Sequence, residues 1–159
     1  MKLTRYTDYA LRVLMYLGLH AERLCSIKEI ADSFGASENH LMKVVQGLAG
    51  NGFVTSLRGR GGGLRLGRRP ESIRIGDVVR LTEPDFDIAD CATCILAPAC
   101  GLTPVLTRAT SAFLSVLDDH TLADLIRTPD AQRSLLKHGL DRRSGRKPTS
   151  SRGSTRARA

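Results

Sequence analysis

The sequence predicts a mainly α-helical chain with a small β-wing, a winged helix-turn-helix followed by one long C-terminal helix. Three observations carry that expectation. Apolar residues in the first third recur at spacings of three and four, the period of helices with one buried face. Two such stretches are separated by little more than Gly35-Ala36, the short hinge that a DNA-reading helix pair requires. Two short β-capable runs then flank Arg58-Gly59-Arg60-Gly61-Gly62-Gly63, whose glycines suit a turn with positive φ angles.

The first helix reads from about residue 4 to 20, with Leu3, Tyr6, Ala10, Val13, Leu14 and Leu17 on one stripe. Ser26 followed by Glu29 is a capping-box pattern, in which each residue satisfies a backbone donor near the other. The second helix runs from there through Ile27, Ile30 and Ala31 to Phe34, and Gly35 ends it. Ser37 is placed to cap a third, where Leu41, Val44, Val45 and Leu48 share a face and Gly50-Asn51-Gly52 stops the run. Residues 53–57 and 64–66 are the wing strands. A short strand is expected around Ile73 and a short helix over residues 77–81, ended by Glu83-Pro84 because proline disfavours helix before it. Thr103-Pro104 reads as the cap and first-turn proline of the long helix. Its face of Val105, Leu106, Ala109, Ala112, Phe113, Val116 and Leu117 suits a homodimer seam or ordinary core packing equally. Residues 121–126 give one further turn.

The predicted organisation is therefore a DNA-binding domain over 1–82, a cysteine-rich loop over 83–102, a dimerisation helix with its short successor over 103–128, and a basic tail over 129–159. From about Arg142 that tail is too rich in Ser, Gly and Arg to pack.

Charge supports the division. The 159 residues carry a formal net charge of +8, but residues 1–70 hold 11 Lys/Arg against 5 Asp/Glu, residues 71–128 hold 4 against 9, and residues 129–159 hold 9 against 2. A basic front joined to an acidic middle suggests a polyanion-binding module attached to something different, the alternative being a solvated surface. The basic tail either adds phosphate affinity or merely solubilises. Apolar residues make up 42% of the chain, enough for a packed core. No apolar run approaches the ~18 residues of a membrane span. Met1-Lys2-Leu3-Thr4-Arg5 is not followed by a signal-peptide core. A cytoplasmic location without a membrane partner is expected.

The third helix would expose Ser37, Glu38, Asn39, His40, Lys43 and Gln46, side chains suited to base edges and phosphates. Arg58, Arg60 and Arg65 on the thin wing suit a phosphate backbone or minor groove. Double-stranded promoter DNA is the partner these features predict. The glycine loop is not followed by Gly-Lys-Ser/Thr, and a strand rather than a helix comes next, which excludes a dinucleotide fingerprint. His20, His40, His120 and His138 are scattered with no nucleophile–base constellation, so an enzyme is not expected.

Cys25 stands alone, whereas Cys91-x2-Cys94-x5-Cys100 places three thiols within ten residues. In a cytosolic chain such a cluster serves metal or redox chemistry rather than disulfides. Thiolates hold iron–sulfur clusters and also zinc. Spacing alone does not choose between them, and three ligands leave one coordination position to fill.

The opening Leu3-Thr4-Arg5-Tyr6-Thr7-Asp8-Tyr9-Ala10-Leu11-Arg12, the wing Val54 to Leu66, Ile75-Gly76-Asp77-Val78-Val79 and the three-cysteine loop together resemble the bacterial Rrf-type winged-helix iron–sulfur regulators over roughly residues 1–128. Leu96-Ala97-Pro98-Ala99-Cys100, Phe113-Leu114-Ser115-Val116-Leu117 and Thr121-Leu122-Ala123-Asp124-Leu125 are most similar to that family's nitric-oxide-sensing repressors. The resemblance implies a homodimer that binds a [4Fe–4S] cluster, represses nitric-oxide detoxification genes and releases DNA when nitric oxide attacks the cluster. A [2Fe–2S] form is the alternative. It also implies that Cys91, Cys94 and Cys100 are ligands and that Asp8 supplies the fourth from the other subunit. Arg12, one turn on, shares the face of Asp8 and would pair with it when the cluster is absent. Read without the resemblance, Asp8 is a first-turn acid favoured by the helix dipole. Relatives usually place four or five residues between the first two cysteines, where this chain has two. Thr103 stands where IscR-like members carry a histidine, which disfavours a site of that type. An iron- or cluster-status sensor of the same family, RirA- or IscR-like, is the alternative function.

Overall fold

The computed structural model describes residues 2–143, with side chains to residue 137. Helix α1 (Arg5–Leu19) runs through the middle of the fold and touches α2, α3, α4, α6, α7 and β2. Thr4 caps it, accepting from the Thr7 backbone N–H at 3.2 Å. The stripe read from sequence is the core: Ala10, Val13, Leu14 and Leu17 are buried, joined by Thr7. Tyr6 instead lies at the rim, its hydroxyl donating to the Lys43 carbonyl at 3.4 Å.

Helices α2 (Ile27–Phe34) and α3 (Glu38–Gly50) form the helix-turn-helix. Gly35 ends α2 in the left-handed region at φ 62°. Ser26 caps α2, accepting from the Glu29 N–H at 3.1 Å, but the Glu29 carboxylate also accepts from Arg23 at 2.7 Å. Burial works to raise the Glu29 pKa, yet hydrogen bonds from Arg23 and Cys25 hold it below the usual range. Ser37 occupies the N-cap position of α3 without making the expected capping hydrogen bond.

Strands β1 (Val54–Leu57) and β2 (Gly63–Leu66) pair antiparallel, with Val54 opposite Leu66 and Leu57 opposite Gly63. The turn between them needs its glycines: Gly59 and Gly61 sit at φ 99° and 81°, angles costly for any side chain. Cys25 adds a single bridge to this ribbon, exchanging backbone hydrogen bonds with Leu64 at 2.8 and 2.9 Å.

A 3₁₀ turn (Pro70–Ser72) leads to α4 (Ile75–Thr82). The strand expected around Ile73 is not there. Helix α4 begins two residues later, so pairing is limited to Ile75 N–H to His120 O at 2.9 Å and Leu122 N–H to Ile73 O at 2.8 Å. Glu83 leaves α4 in extended conformation ahead of Pro84, as the proline demands.

Helix α5 (Leu102–Asp118) starts two residues earlier than expected, with Gly101 at its cap and Thr103 inside its first turn. None of its residues is buried in the single chain, and Val105 and Val116 are 56% and 58% exposed. It is fastened to α4 by a two-pronged ion pair, Arg80 Nη1 and Nη2 donating to the two Asp118 carboxylate oxygens at 2.6 Å each. The Arg80 hydrogen bonds keep the Asp118 carboxyl below its ordinary pKa. A side chain at Gly76 would collide with that carboxylate.

Helix α6 (Leu122–Leu125) is fixed by a capping box between Thr121 and Asp124. The Thr121 backbone N–H, aided by Arg127, pulls the Asp124 carboxyl down to about 2. Helix α7 (Pro129–Arg143) then corrects the expected tail, since residues 129–143 are helical. Pro129 opens it, as suits a first helical turn. Arg133 Nε donates to the Leu19 carbonyl at 2.6 Å and Gln132 Nε2 to the Leu125 carbonyl at 2.7 Å. Leu136 packs against the core. Residues 144–159, where the rest of the expected tail falls, lie outside the described residues.

Candidate nucleic-acid interface and cysteine loop

Because Leu41, Val44, Val45 and Leu48 are buried, the other face of α3 points outward. Ser37, Glu38, Asn39, His40, Lys43 and Gln46 are all exposed there, as are Arg58, Arg60 and Arg65 on the wing. Sequence reasoning missed Arg68. Its guanidinium stacks 4.4 Å over the Phe53 ring and donates to the Asn51 carbonyl at 2.6 Å, bracing the wing base against the end of α3. The signal was the Arg68-Arg69 pair, read only as charge.

The second region is the loop between α4 and α5. Cys91 and Cys100 are half-buried, Cys94 is exposed, and all three are free thiols. A succession of tight turns shapes the segment. Cys94 N–H donates to Cys91 O at 3.3 Å, Ala97 N–H to Cys94 O at 3.1 Å and Cys100 N–H to Ala97 O at 3.3 Å. Among the described residues no three His, Cys, Asp or Glu side chains are gathered closely enough to hold a metal ion. The fold thus places the three cysteines on one loop without closing them around a point. By donor chemistry they fit a sulfur-ligated iron group.

Asp8 lies apart from that loop, on α1. Its carboxylate accepts from Arg12 Nε at 2.8 Å, and both side chains are half-exposed. Arg12 also lies 5.7 Å over the Phe34 ring. Asp8, Arg12 and Phe34 line a surface groove together with Lys2, Leu3, Arg5, Tyr9 and Leu11. An exposed i,i+4 pair of this kind is worth only about 0.3–0.5 kcal/mol, so Asp8 is easily released to another partner. A contact not foreseen from sequence joins the two regions. Glu83, which opens the cysteine loop, accepts from the Thr4 backbone N–H at 2.8 Å and from its hydroxyl at 3.2 Å.

Cys25 takes no part. It is fully buried in the core, and burial, reinforced by a hydrogen bond to Glu29, pushes its thiol up to about 12. A thiol so placed is structural and inert.

Residues 3–128 match Rrf2, the family described as an iron-dependent transcriptional regulator. The chain belongs to the Rrf2 family. It is 52% identical over 142 residues to the HTH-type transcriptional regulator NsrR of Bacillus licheniformis, covering 86% of this chain and 99% of that one. It is 51% identical over 145 residues to NsrR of Bacillus subtilis, covering 86% and 98%. Among solved structures it is similar to T. potens IscR, with TM-score 0.67, 30% identity and coverage of 84% of this chain and 90% of that one. The global cysteine regulator CymR of B. subtilis aligns with TM-score 0.65 and 30% identity over 79% and 95%. The Rrf2 assignment makes this chain a transcriptional regulator with DNA as its partner, in line with the mainly α winged-helix expectation, and its relatives are named regulators rather than enzymes. No helix among the described residues is long and apolar enough to cross a membrane. The family match ends at residue 128, so α7 lies beyond it.

Proposed function

We propose that this Rrf2 regulator is a cytoplasmic homodimeric repressor that senses nitric oxide through an iron–sulfur cluster and releases promoter DNA in response. The observation that carries the reading is the set of three free thiols directly ahead of α5, in a chain half identical to proteins named NsrR. Cys91, Cys94 and Cys100 would hold the cluster, taken as [4Fe–4S] with [2Fe–2S] as the alternative, and Asp8 of the partner subunit would complete it. When bound, that group supplies the nitric-oxide-reactive centre.

The chain's own residues supply the rest. The apolar side chains of α5, unburied in one chain, form the seam between protomers. Asp8 would be a hard oxygen ligand among soft sulfurs, and so the labile tie. Arg12 stands one turn away to receive it on release. Loss of a cross-subunit tie changes the relative pose of two α3 helices, which must span half-sites about one helical turn apart. Ser37, Asn39, His40 and Lys43 read the major groove, while Arg58 and Arg60 follow the backbone or enter the minor groove. The second reading, an iron- or cluster-status sensor of the same family, rests on the same three cysteines, Cys91, Cys94 and Cys100, which such members also carry.

Two outcomes test this. Asp8→Ala is expected to leave the fold intact, because the lost surface pair is weak, while the cluster bleaches faster and the nitric-oxide response of DNA binding is altered. Unchanged cluster stability together with an unchanged response removes Asp8 from the mechanism. Arg58→Ala with Arg60→Ala is expected to weaken binding across all sequences and flatten the salt dependence by about one unit of slope per lost phosphate contact. Anisotropy of labelled DNA over a salt series measures it, and an unchanged slope rules out phosphate contacts by these arginines.

A further inference from the structure

We infer that, once the loop has closed on an iron–sulfur cluster, the Thr103 hydroxyl donates a hydrogen bond to the sulfur of Cys91 and so positions that ligand, an inference that rests on the cluster-binding reading above. Thr103 lies in the first turn of α5, and its Oγ1 is buried with no hydrogen-bond partner among the described residues. Buried hydroxyls are rarely left without an acceptor. Threonines in helices usually find one in a carbonyl a turn back. Thr107 does so, donating to Thr103 O at 3.0 Å, and Thr110 reaches Phe86 O at 3.4 Å. Four residues before Thr103 stands Ala99, which belongs to the preceding 3₁₀ turn (Ala97–Ala99) rather than to α5.

The acceptor must therefore come from what Thr103 faces. That is a cavity of about 240 Å³ shared with Cys91, Phe86, Ile88 and Leu106. The hydrocarbon walls accept nothing, and the hydroxyls of Thr107, Thr110 and Ser111, which also line it, lie one to two turns farther along α5. Asp87 also lines the space but is exposed to solvent, where water competes for its carboxylate. The Cys91 sulfur remains, and once bound to iron it carries negative charge and accepts well from a hydroxyl. Donation to a ligating sulfur withdraws electron density, strengthens retention and raises the reduction potential.

The test compares the parent protein with Thr103→Val, which keeps the shape, and Thr103→Ser, which keeps the hydroxyl. Each is reconstituted anaerobically and its iron and sulfide content measured. The rate at which a chelator removes the visible absorption band and the reduction potential are then recorded. Thr103→Val is expected to load as much iron as the parent but lose it roughly tenfold faster, as one charge-assisted hydrogen bond implies, with its potential shifted to more negative values. Thr103→Ser should stay within about twofold of the parent. If the valine does not fit, Thr103→Ala carries the same expectation. A loaded parent whose valine and alanine variants match it in rate and potential overturns this inference alone. A parent that takes up no iron overturns the cluster reading, and this inference with it.

Discussion

Cys100→Ser is expected to abolish cluster binding, and with it any nitric-oxide control of DNA binding, while leaving the fold in place. Cys100 is half-buried one residue ahead of the Gly101 cap of α5. The exposed N–H groups of that helix terminus favour an anionic ligand there. Serine matches the side chain in size but offers a hard, protonated oxygen in place of a soft thiolate. Iron and sulfide analysis reads the loss, and far-UV circular dichroism reads the fold. Cys25→Ser is the informative contrast. That thiol is fully buried and hydrogen-bonded to Glu29, so the variant is expected to keep its iron. A Cys100→Ser protein with the parent's iron content, or a Cys25→Ser protein that folds without iron, contradicts this division of roles.

Leu14→Ala is expected to cost about 2–5 kcal/mol, the range for emptying a well-packed leucine site. Leu14 has 0% exposure and sits on α1, which touches six other elements. Against a total stability of about 5–15 kcal/mol, that is enough to depress the folded population at growth temperature. Urea unfolding measures it. Leu135, 73% exposed on α7, is the control, and its alanine variant should stay within about 0.5 kcal/mol of the parent. A Leu14→Ala cost below about 1 kcal/mol would mean that α1 is not the centre of the core.

The core was legible because its signal is periodicity. Ala10, Val13, Leu14 and Leu17 on α1, and Leu41, Val44, Val45 and Leu48 on α3, needed nothing beyond spacing, and all are buried. The wing turn was legible because Gly59 and Gly61 announce positive φ. Local hydrogen-bond choices were not. Thr103 matches a capping pattern but falls inside the first turn of α5 because the backbone turns at Gly101, and Ser37 stands at the N-cap of α3 without making a side-chain capping bond. Helix α7 was hidden by composition. Charge dominates its sequence, and part of its anchoring comes from Arg133 on the Leu19 carbonyl and Gln132 on the Leu125 carbonyl, contacts without periodicity. The tie between Glu83 and Thr4 joins residues 79 positions apart, which no local pattern encodes. Cys25 was separable from the other cysteines only once its burial was known.

Under the proposed mechanism, cluster chemistry and DNA release are one event. The most direct measurement titrates the anaerobically purified protein with nitric oxide in the presence of labelled promoter DNA, recording visible absorption and anisotropy in the same cuvette. The cluster band is expected to bleach and the DNA to dissociate at matching stoichiometry. A bleached cluster with DNA still bound would contradict it and turn attention to iron status as the signal.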